Sequence, residues 1–88
     1  MSIGYRIFVH ARSIASLPKS GRRRDQVIAF LEALETDSGN QHGDGTGFID
    51  PVSSRVYRLA TVAGFVVTWW CDDAVREVKV VRIEKSPL

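Results

Sequence analysis

The second half of this 88-residue chain, from Arg55 to Lys85, constrains the fold more than any other part. Three runs rich in β-branched and aromatic residues follow one another there, at residues 55–62, 65–71 and 75–85. Such residues favour strands. Only two or three residues separate the runs, and connections this short join antiparallel neighbours. The sequence therefore predicts a three-stranded antiparallel meander.

The middle run is apolar in both alternating phases. Phe65, Val67, Trp69 and Cys71 share one face, whereas Val66, Thr68 and Trp70 share the other. A strand that is apolar on both faces is typical of the centre of a sheet. If helices cover only one sheet face, Trp69 or Trp70 lies on the uncovered face, which becomes a candidate binding surface. The alternative is that both tryptophans pack in or beside the core.

The last run changes its apolar phase partway along. Val78 and Val80 share one face, while Val81 and Ile83 share the other. A shift of one residue moves side chains to the opposite face of a sheet. The pattern predicts either a β-bulge near Val80 and Val81 or a strand with two partly buried faces.

The first half of the chain supplies one strand and two helices. Residues 3–10 alternate, with Tyr5, Ile7 and Val9 on an apolar face, and predict a strand. Residues 11–17 predict a short helix that ends before Pro18, since the residue before a proline avoids the α region. The glycine-rich residues 39–51 predict a loop.

Residues 20–35 are the clearest helix in the chain. Ser20 is the predicted N-cap. The apolar residues recur at helical spacing and form one stripe: Val27, Ile28, Phe30, Leu31 and Leu34. That stripe must be buried against another element.

The resulting order is β-α-α-β-β-β. The helical hairpin covers one face of the sheet, which predicts an α+β, two-layer fold with a mainly antiparallel four-stranded sheet. Residues 1–88 form a single domain, and the first strand need not lie beside the second.

Cysteine, histidine and charge content limit the functions that remain. Cys71 is the only cysteine, so no intramolecular disulfide forms, and a reducing, cytoplasmic environment is expected. Its apolar neighbours predict that Cys71 is buried. His10 and His42 lie far apart in sequence, and we predict no metal site and no cofactor. No segment is long enough to span a bilayer, and the net charge of +2 permits, without requiring, binding to nucleic acid or to an acidic protein.

Two further groups have both a plain and a functional interpretation. The run Arg22 to Arg24 is a solvated helix surface or a contact for phosphate or an acidic partner. His10 and His42 are ordinary exposed histidines or candidate general bases. The glycines of residues 43–47 lack the strand before and the helix after that a phosphate-binding loop needs.

Taken in order, these segments resemble the RelE/ParE toxins of bacterial type II toxin–antitoxin systems. The likeness is carried by the patterns at residues 5–9, 23–27, 56–59, 65–70 and 77–83. The resemblance implies a concave sheet surface. In the RelE branch that surface enters the ribosome and cuts mRNA, and in the ParE branch the same fold inhibits DNA gyrase. It also implies a cognate antitoxin as partner, and a homodimer is compatible with the sequence.

The resemblance transfers few catalytic residues. Arg58 matches a basic position of the second strand, but Val66 stands where the ribonuclease branch has an arginine. Residues 84–88 contain no tyrosine, and Lys85 is their only cation. Arg58 and Lys85 are therefore weak catalytic candidates. The predicted RNA-binding or target-binding residues are Arg58, Trp70, Lys79, Arg82 and Lys85.

Three mechanisms follow from the resemblance. The first is growth inhibition through ribosome-dependent mRNA cleavage, with the predicted cations contacting RNA phosphates. The second is a non-catalytic toxin that blocks a protein target such as gyrase. The third is a binding module of the same fold that does no chemistry.

Overall fold

A computed structural model describes residues 5–36 and 47–87. The elements along the chain are β1 (Arg6–Val9), α1 (Ala11–Ala15), α2 (Arg22–Thr36), β2 (Gly47–Ile49), β3 (Val56–Val62), β4 (Phe65–Asp72) and β5 (Glu77–Lys85). The predictions for His42 and for the glycines of residues 43–45 lie outside the described residues.

The strands form a single sheet in the order β1-β5-β4-β3-β2. β3, β4 and β5 pair antiparallel, as the short connections predict, and β1 pairs parallel with β5. The prediction that β4 is central is confirmed. The first strand, which the sequence left free not to lie beside the strand of residues 55–62, is separated from β3 by β5 and β4.

The prediction of a four-stranded sheet is corrected by a fifth strand, β2. It pairs antiparallel with β3, with Phe48 opposite Tyr57. Three residues between a glycine-rich stretch and Pro51 are too few to show alternation, so the sequence pattern assigned them to a loop. The backbone partner supplied by β3 is what makes them a strand.

The core lies between α2 and the sheet. Val27 and Leu34 of α2 are fully buried, as is Trp69 at the centre of β4. Phe30 meets the Trp69 ring edge-on, with centroids 5.6 Å apart, a favoured aromatic geometry. The predicted apolar stripe of α2 is therefore confirmed as the surface that faces the sheet. The remaining core side chains are Leu17, Leu31, Ala60, Phe65, Val67, Val78, Val80 and Ile83.

A β-bulge at Val81 explains the change of phase in β5. Trp69 pairs with Val80 and Thr68 pairs with Arg82, so Val81 has no opposite residue. The extra residue restores the inward phase, and Val80 and Ile83 both reach the core. Val81 itself is 43% exposed. Of the two alternatives that the sequence left open, the structure has the bulge.

The start of α2 differs from the prediction. The helix begins at Arg22, two residues after Ser20. Gly21 precedes it with a φ of 105°, and its carbonyl accepts a hydrogen bond from the Asp25 N–H at 3.1 Å. Gly21 therefore occupies the cap position in a conformation that favours glycine, and the prediction that Ser20 is the N-cap is wrong.

The two hairpin turns are set by left-handed residues. Ala63 and Gly64 have φ values of 53° and 85°, which match the type I′ turn that suits the twist of paired strands. At the other end of β4, Arg76 has a φ of 53°. The strand that the sequence predicts from residue 75 begins at Glu77 instead. Arg76, in its left-handed conformation, is the last residue of the turn.

Replacing Trp69 with alanine should lower the free energy of unfolding far more than replacing Trp70 with alanine. Trp69 is fully buried, so Trp69→Ala should lower the free energy of unfolding by about 3–5 kcal/mol. Trp70 is only half-buried, and Trp70→Ala should lower it by less than about 1.5 kcal/mol. Urea titration of both variants measures the difference. Equal losses would contradict the assignment of the two rings to opposite faces.

Asparagine at position 63 should stabilise the β3–β4 hairpin. Ala63 adopts a left-handed conformation that is unfavourable for alanine, whereas asparagine tolerates it, so Ala63→Asn should add about 0.5–1 kcal/mol. Gly64→Ala is the matched control. Nothing lies within 4 Å of an added Cβ there, so its expected loss of about 1 kcal/mol reports backbone strain alone. Thermal unfolding measures both, and a destabilised Ala63→Asn would argue against the type I′ turn.

Candidate functional site

The sheet face opposite the helices is open, and a row of large side chains crosses it. Backbone register places Phe8 beside Lys79, Lys79 beside Trp70, and Tyr57 beside Phe48. Arg58 of β3 pairs with Trp69 of β4. The same register, extended by one residue, places Tyr57 beside Trp70. We call these five residues the cross-sheet row.

Trp70 lies between two cations at the centre of the row. The Arg55 guanidinium sits 4.1 Å from the ring centroid, and the Lys79 ammonium lies 5.1 Å from it. Each such contact contributes about 0.5–1 kcal/mol at exposed sites. Trp70 is thus held in place as a partly covered aromatic platform.

The turn before β3 positions Arg55. The Asp50 carboxylate accepts hydrogen bonds from the Val52 N–H at 2.9 Å and the Ser53 hydroxyl at 3.0 Å. Both bonds hold the pKa of Asp50 below its usual value, and the bond from Val52 has the larger effect. The Asp50 N–H also donates to the Arg55 carbonyl at 2.9 Å. Asp50 therefore ties the turn together and fixes where Arg55 enters the strand.

A hollow of about 460 Å³ lies on one side of the row. Phe48 and Tyr57 stack at its edge, with centroids 5.1 Å apart and planes inclined by 16°. Its lining combines the aliphatic side chains of Leu59, Val66 and Val81 with three charged ones, those of Asp50, Arg82 and Glu84. We call this mixed apolar and charged depression the first hollow.

A second hollow of about 420 Å³ lies around Trp70. Phe8, His10, Arg55 and Lys79 contribute to its lining. Val81 lines both hollows, so the bulged residue stands at the point where they meet.

Carboxylates neutralise most of the cations on this face. Arg6 pairs with Glu77 at 3.3 Å, and Arg82 pairs with Glu84 at 3.4 Å. Lys79 pairs with Asp72 at 3.5 Å and also with Glu77 at 3.6 Å.

Arg55 differs from the other three cations of the open face. Among residues 5–36 and 47–87, no carboxylate oxygen lies within 4.0 Å of it. Its positive charge nonetheless acts on Asp50, whose pKa it helps to lower.

The structure divides the predicted binding residues between two faces. Trp70, Lys79 and Arg82 lie on the open face. Arg58 pairs with Trp69, and Lys85 pairs with Phe65. Since paired residues share a face and both partners are buried under the helices, Arg58 and Lys85 lie on the helix side. The five residues do not form one surface, and their roles stay predictions.

Arg58 lies instead beside Cys71 and Asp73 at the edge of the helix side, in a polar hollow of about 340 Å³.

Cys71 is half-buried, and the prediction that it is buried is therefore corrected. It lies near the end of β4, where other side chains cover the sheet only partly. Burial raises the pKa of its thiol, the Asp73 charge raises it further, and Arg58 partly opposes both. The Tyr5 hydroxyl donates to Asp73 at 2.7 Å, which raises the pKa of Tyr5.

Four contributors to the open face were not among the predicted site residues: Phe8, Phe48, Arg55 and Tyr57. Phe8 carried a signal, because it stands out of phase with its apolar neighbours in β1. Tyr57 and Arg58 are consecutive strand residues and lie on opposite faces. The sequence does not say which of these faces the helices cover, so it does not place Tyr57. Phe48 lies in a strand too short to show a pattern.

Residues 5–36 and 47–87 contain no group of three or more His, Cys, Asp or Glu side chains placed to hold a metal ion. None of their helices is long and apolar enough to cross a membrane.

Cys71 should react slowly with alkylating reagents. Because the folded protein favours the neutral thiol, its pKa lies above the ordinary value of 9.0. The pH midpoint for iodoacetamide modification should therefore be higher in native protein than in urea-unfolded protein. The associated stability is fully present below the unfolded-state pKa and is lost as pH rises through the folded one. Cys71→Ser should remove that alkaline dependence, and a native midpoint at or below the unfolded one would contradict the assignment.

Comparison with known proteins gives a structural relative. No protein-family model matches the sequence, and no curated protein matches it at a significant level. The structure is similar to a chain in the crystal structure of the archaeal RelE–RelB complex from Pyrococcus horikoshii OT3. The TM-score is 0.71, with 16% sequence identity over 99% of this chain and 98% of that one. The fold is therefore RelE-like, as the resemblance implied.

Proposed function

We propose that this protein is the toxin component of a type II toxin–antitoxin pair and that it inhibits growth until a cognate antitoxin binds it. The observation that supports this most is the structural similarity over nearly the full length of a chain from a RelE–RelB complex. Fold alone does not define function. The open face adds the second element, because it presents the large side chains that a binding surface needs. The proposal places the protein in the bacterial cytoplasm.

We further propose that inhibition works by binding rather than by RNA cleavage. Cleavage by 2′-hydroxyl attack needs a base, an acid and stabilisation of the phosphorane charge. The catalytic candidates Arg58 and Lys85 lie on the opposite sheet face from Trp70. On the open face, Asp72, Glu77 and Glu84 are paired with cations. That arrangement supports a non-catalytic toxin with a protein target, of which DNA gyrase is one candidate.

Ribosome-dependent mRNA cleavage is the second candidate function. It is favoured by the aromatic and cationic character of the cross-sheet row, since sheets that bind single-stranded RNA stack bases on aromatic side chains. Arg55 and Lys79 beside Trp70 would then contact phosphates.

Growth and cell-free assays test the proposal and separate the two candidates. Induction of the wild-type protein should arrest bacterial growth, and co-expression of the product of the neighbouring gene should restore it. Trp70→Ala and Arg55→Ala should lose most of the arrest, because they remove the aromatic platform and the guanidinium that lies over it. Lys19→Ala, an exposed cation between the helices, is the matched control and should arrest growth like the wild type.

Cell-free translation supplies the deciding measurement. For a non-catalytic toxin with a target outside translation, mRNA added to the reaction should stay intact. Ribosome-dependent cuts would overturn the non-catalytic mode and favour the nuclease. No growth arrest together with no binding to the neighbouring gene product would overturn the toxin–antitoxin proposal itself.

A further inference from the structure

We infer that the end of the molecule that carries the helical hairpin binds the phosphate backbone of a nucleic-acid double helix without reading its bases. This goes beyond the proposed function, and neither depends on the other. We call the surface the basic end. It comprises Arg12 of α1, Arg22 and Arg23 at the start of α2, and Lys85 at the end of β5, all of which are exposed.

Backbone contacts bring these cations to one end of the sheet. The Tyr5 N–H donates to the Glu35 carbonyl at 2.9 Å, so α2 ends beside the start of β1. α1 follows the end of β1 and packs on β5, and residues 16–21 join it to α2. The start of α2 therefore lies toward the far end of β1. β5 runs parallel to β1 and ends on that side too, at Lys85.

Carboxylates are scarce at the basic end. Residues 11–24 contain four arginines and no carboxylate, and Asp25 is the acidic residue in the first turn of α2. Among the residues that the structure describes, no carboxylate oxygen lies within 4.0 Å of the four cations of the basic end. Arg82 and Glu84, the nearest other charges of β5, pair with each other at 3.4 Å. The positive charge of the basic end is therefore not balanced locally.

Many acidic residues lie at the opposite end of the molecule. Asp72, Asp73 and Glu77 lie at the turn between β4 and β5, and Glu35 lies near the end of α2. The 15 residues of α2 separate the two ends by about 22 Å. Salt screens exposed charges beyond about 8 Å at physiological ionic strength. These carboxylates therefore do not cancel the basic end, and the net charge of +2 conceals this polarity.

The arginines at the start of α2 oppose the helix dipole. The positive end of the dipole repels cations, and Arg24 offsets this by donating to the Pro18 carbonyl at 3.1 Å, which fastens the link between the helices. Arg22 and Arg23 project into solvent instead. A bound phosphate turns the repulsion into attraction, because the dipole and the guanidinium groups all favour an anion.

The apolar side chains decide which polyanion fits. In the described part of the chain, no large apolar side chain is exposed within residues 11–25 or 82–87. A membrane surface is held by apolar side chains that insert into it, a protein partner by a buried apolar centre, and a single strand by aromatic rings that stack on its bases. A double helix keeps its bases stacked inside and presents rows of phosphates, which cations alone bind.

Fluorescence anisotropy with labelled duplexes tests the inference. The probes are DNA and RNA duplexes of one sequence and about 16 base pairs, longer than the 35 Å extent of the protein. Arg22→Gln/Arg23→Gln should weaken binding by about tenfold or more at low salt. It should also lower the slope of log Kd against log salt concentration by about two, one for each lost phosphate contact. Lys85→Gln should lower the slope by about one.

Controls separate the basic end from net charge, folding and the open face. Arg6→Gln/Arg76→Gln removes two exposed cations from the opposite end and should bind like the wild type. Trp70→Ala should do so as well. The melting temperature of Arg22→Gln/Arg23→Gln should equal or exceed that of the wild type, because glutamine favours helix and removes the conflict with the dipole. Loss of binding in that variant then reports contacts rather than unfolding.

Four results would overturn the inference. They are tighter binding of a single strand of the same sequence, tighter binding of phosphatidylserine–phosphatidylcholine vesicles, displacement of the duplex by polyglutamate at equal charge concentration, and an equal loss in the Arg6→Gln/Arg76→Gln control. Preferred binding of the RNA or the DNA duplex supports the inference and identifies the source of the phosphates. Duplex binding without growth arrest would leave the basic end standing and remove the proposed function. Growth arrest without duplex binding would do the reverse.

Discussion

The burial of Trp69 beneath α2 is the interaction on which the rest of the structure depends. Trp69 lies at the centre of β4, and β4 is the middle strand of the sheet. Phe30 of the helix meets its ring edge-on. Because side chains alternate across a strand, the inward position of Trp69 places Trp70 outward. The same contact that holds the two layers together therefore also sets the centre of the cross-sheet row.

The bulge at Val81 connects the core to the open face. A regular β5 that kept Val80 in the core would turn Ile83 outward and leave Arg82 beneath the helices. The extra residue returns Ile83 to the core and leaves Val81 exposed between two hollows. Bulges often redirect a side chain near a functional site. Here one residue satisfies the core and shapes the surface opposite it.

The open face combines aromatic breadth with little unbalanced charge. A RelE-like fold can carry different activities, because the fold supplies a surface and the side chains determine what binds there. The cations of this face are placed beside carboxylates of β4 and β5, and Arg55 is held by the Asp50 turn and the Trp70 ring. These contacts give a broad aromatic surface on which the cations and carboxylates of the described residues lie close to one another.

The sequence by itself determined the elements whose causes are local: the meander and its tight turns, the apolar stripe of α2, the central position of β4 and the change of phase in β5. Each follows from spacing within a few residues. Only the tertiary structure decided which tryptophan faces outward, because that depends on the side the helices cover. It also placed Arg58 and Lys85 on the helix side and made a strand of residues 47–49. The physical reason is that these features depend on partners distant in sequence. Alternation along one segment shows neither which face of a strand the helices cover nor whether a short segment finds a strand to pair with.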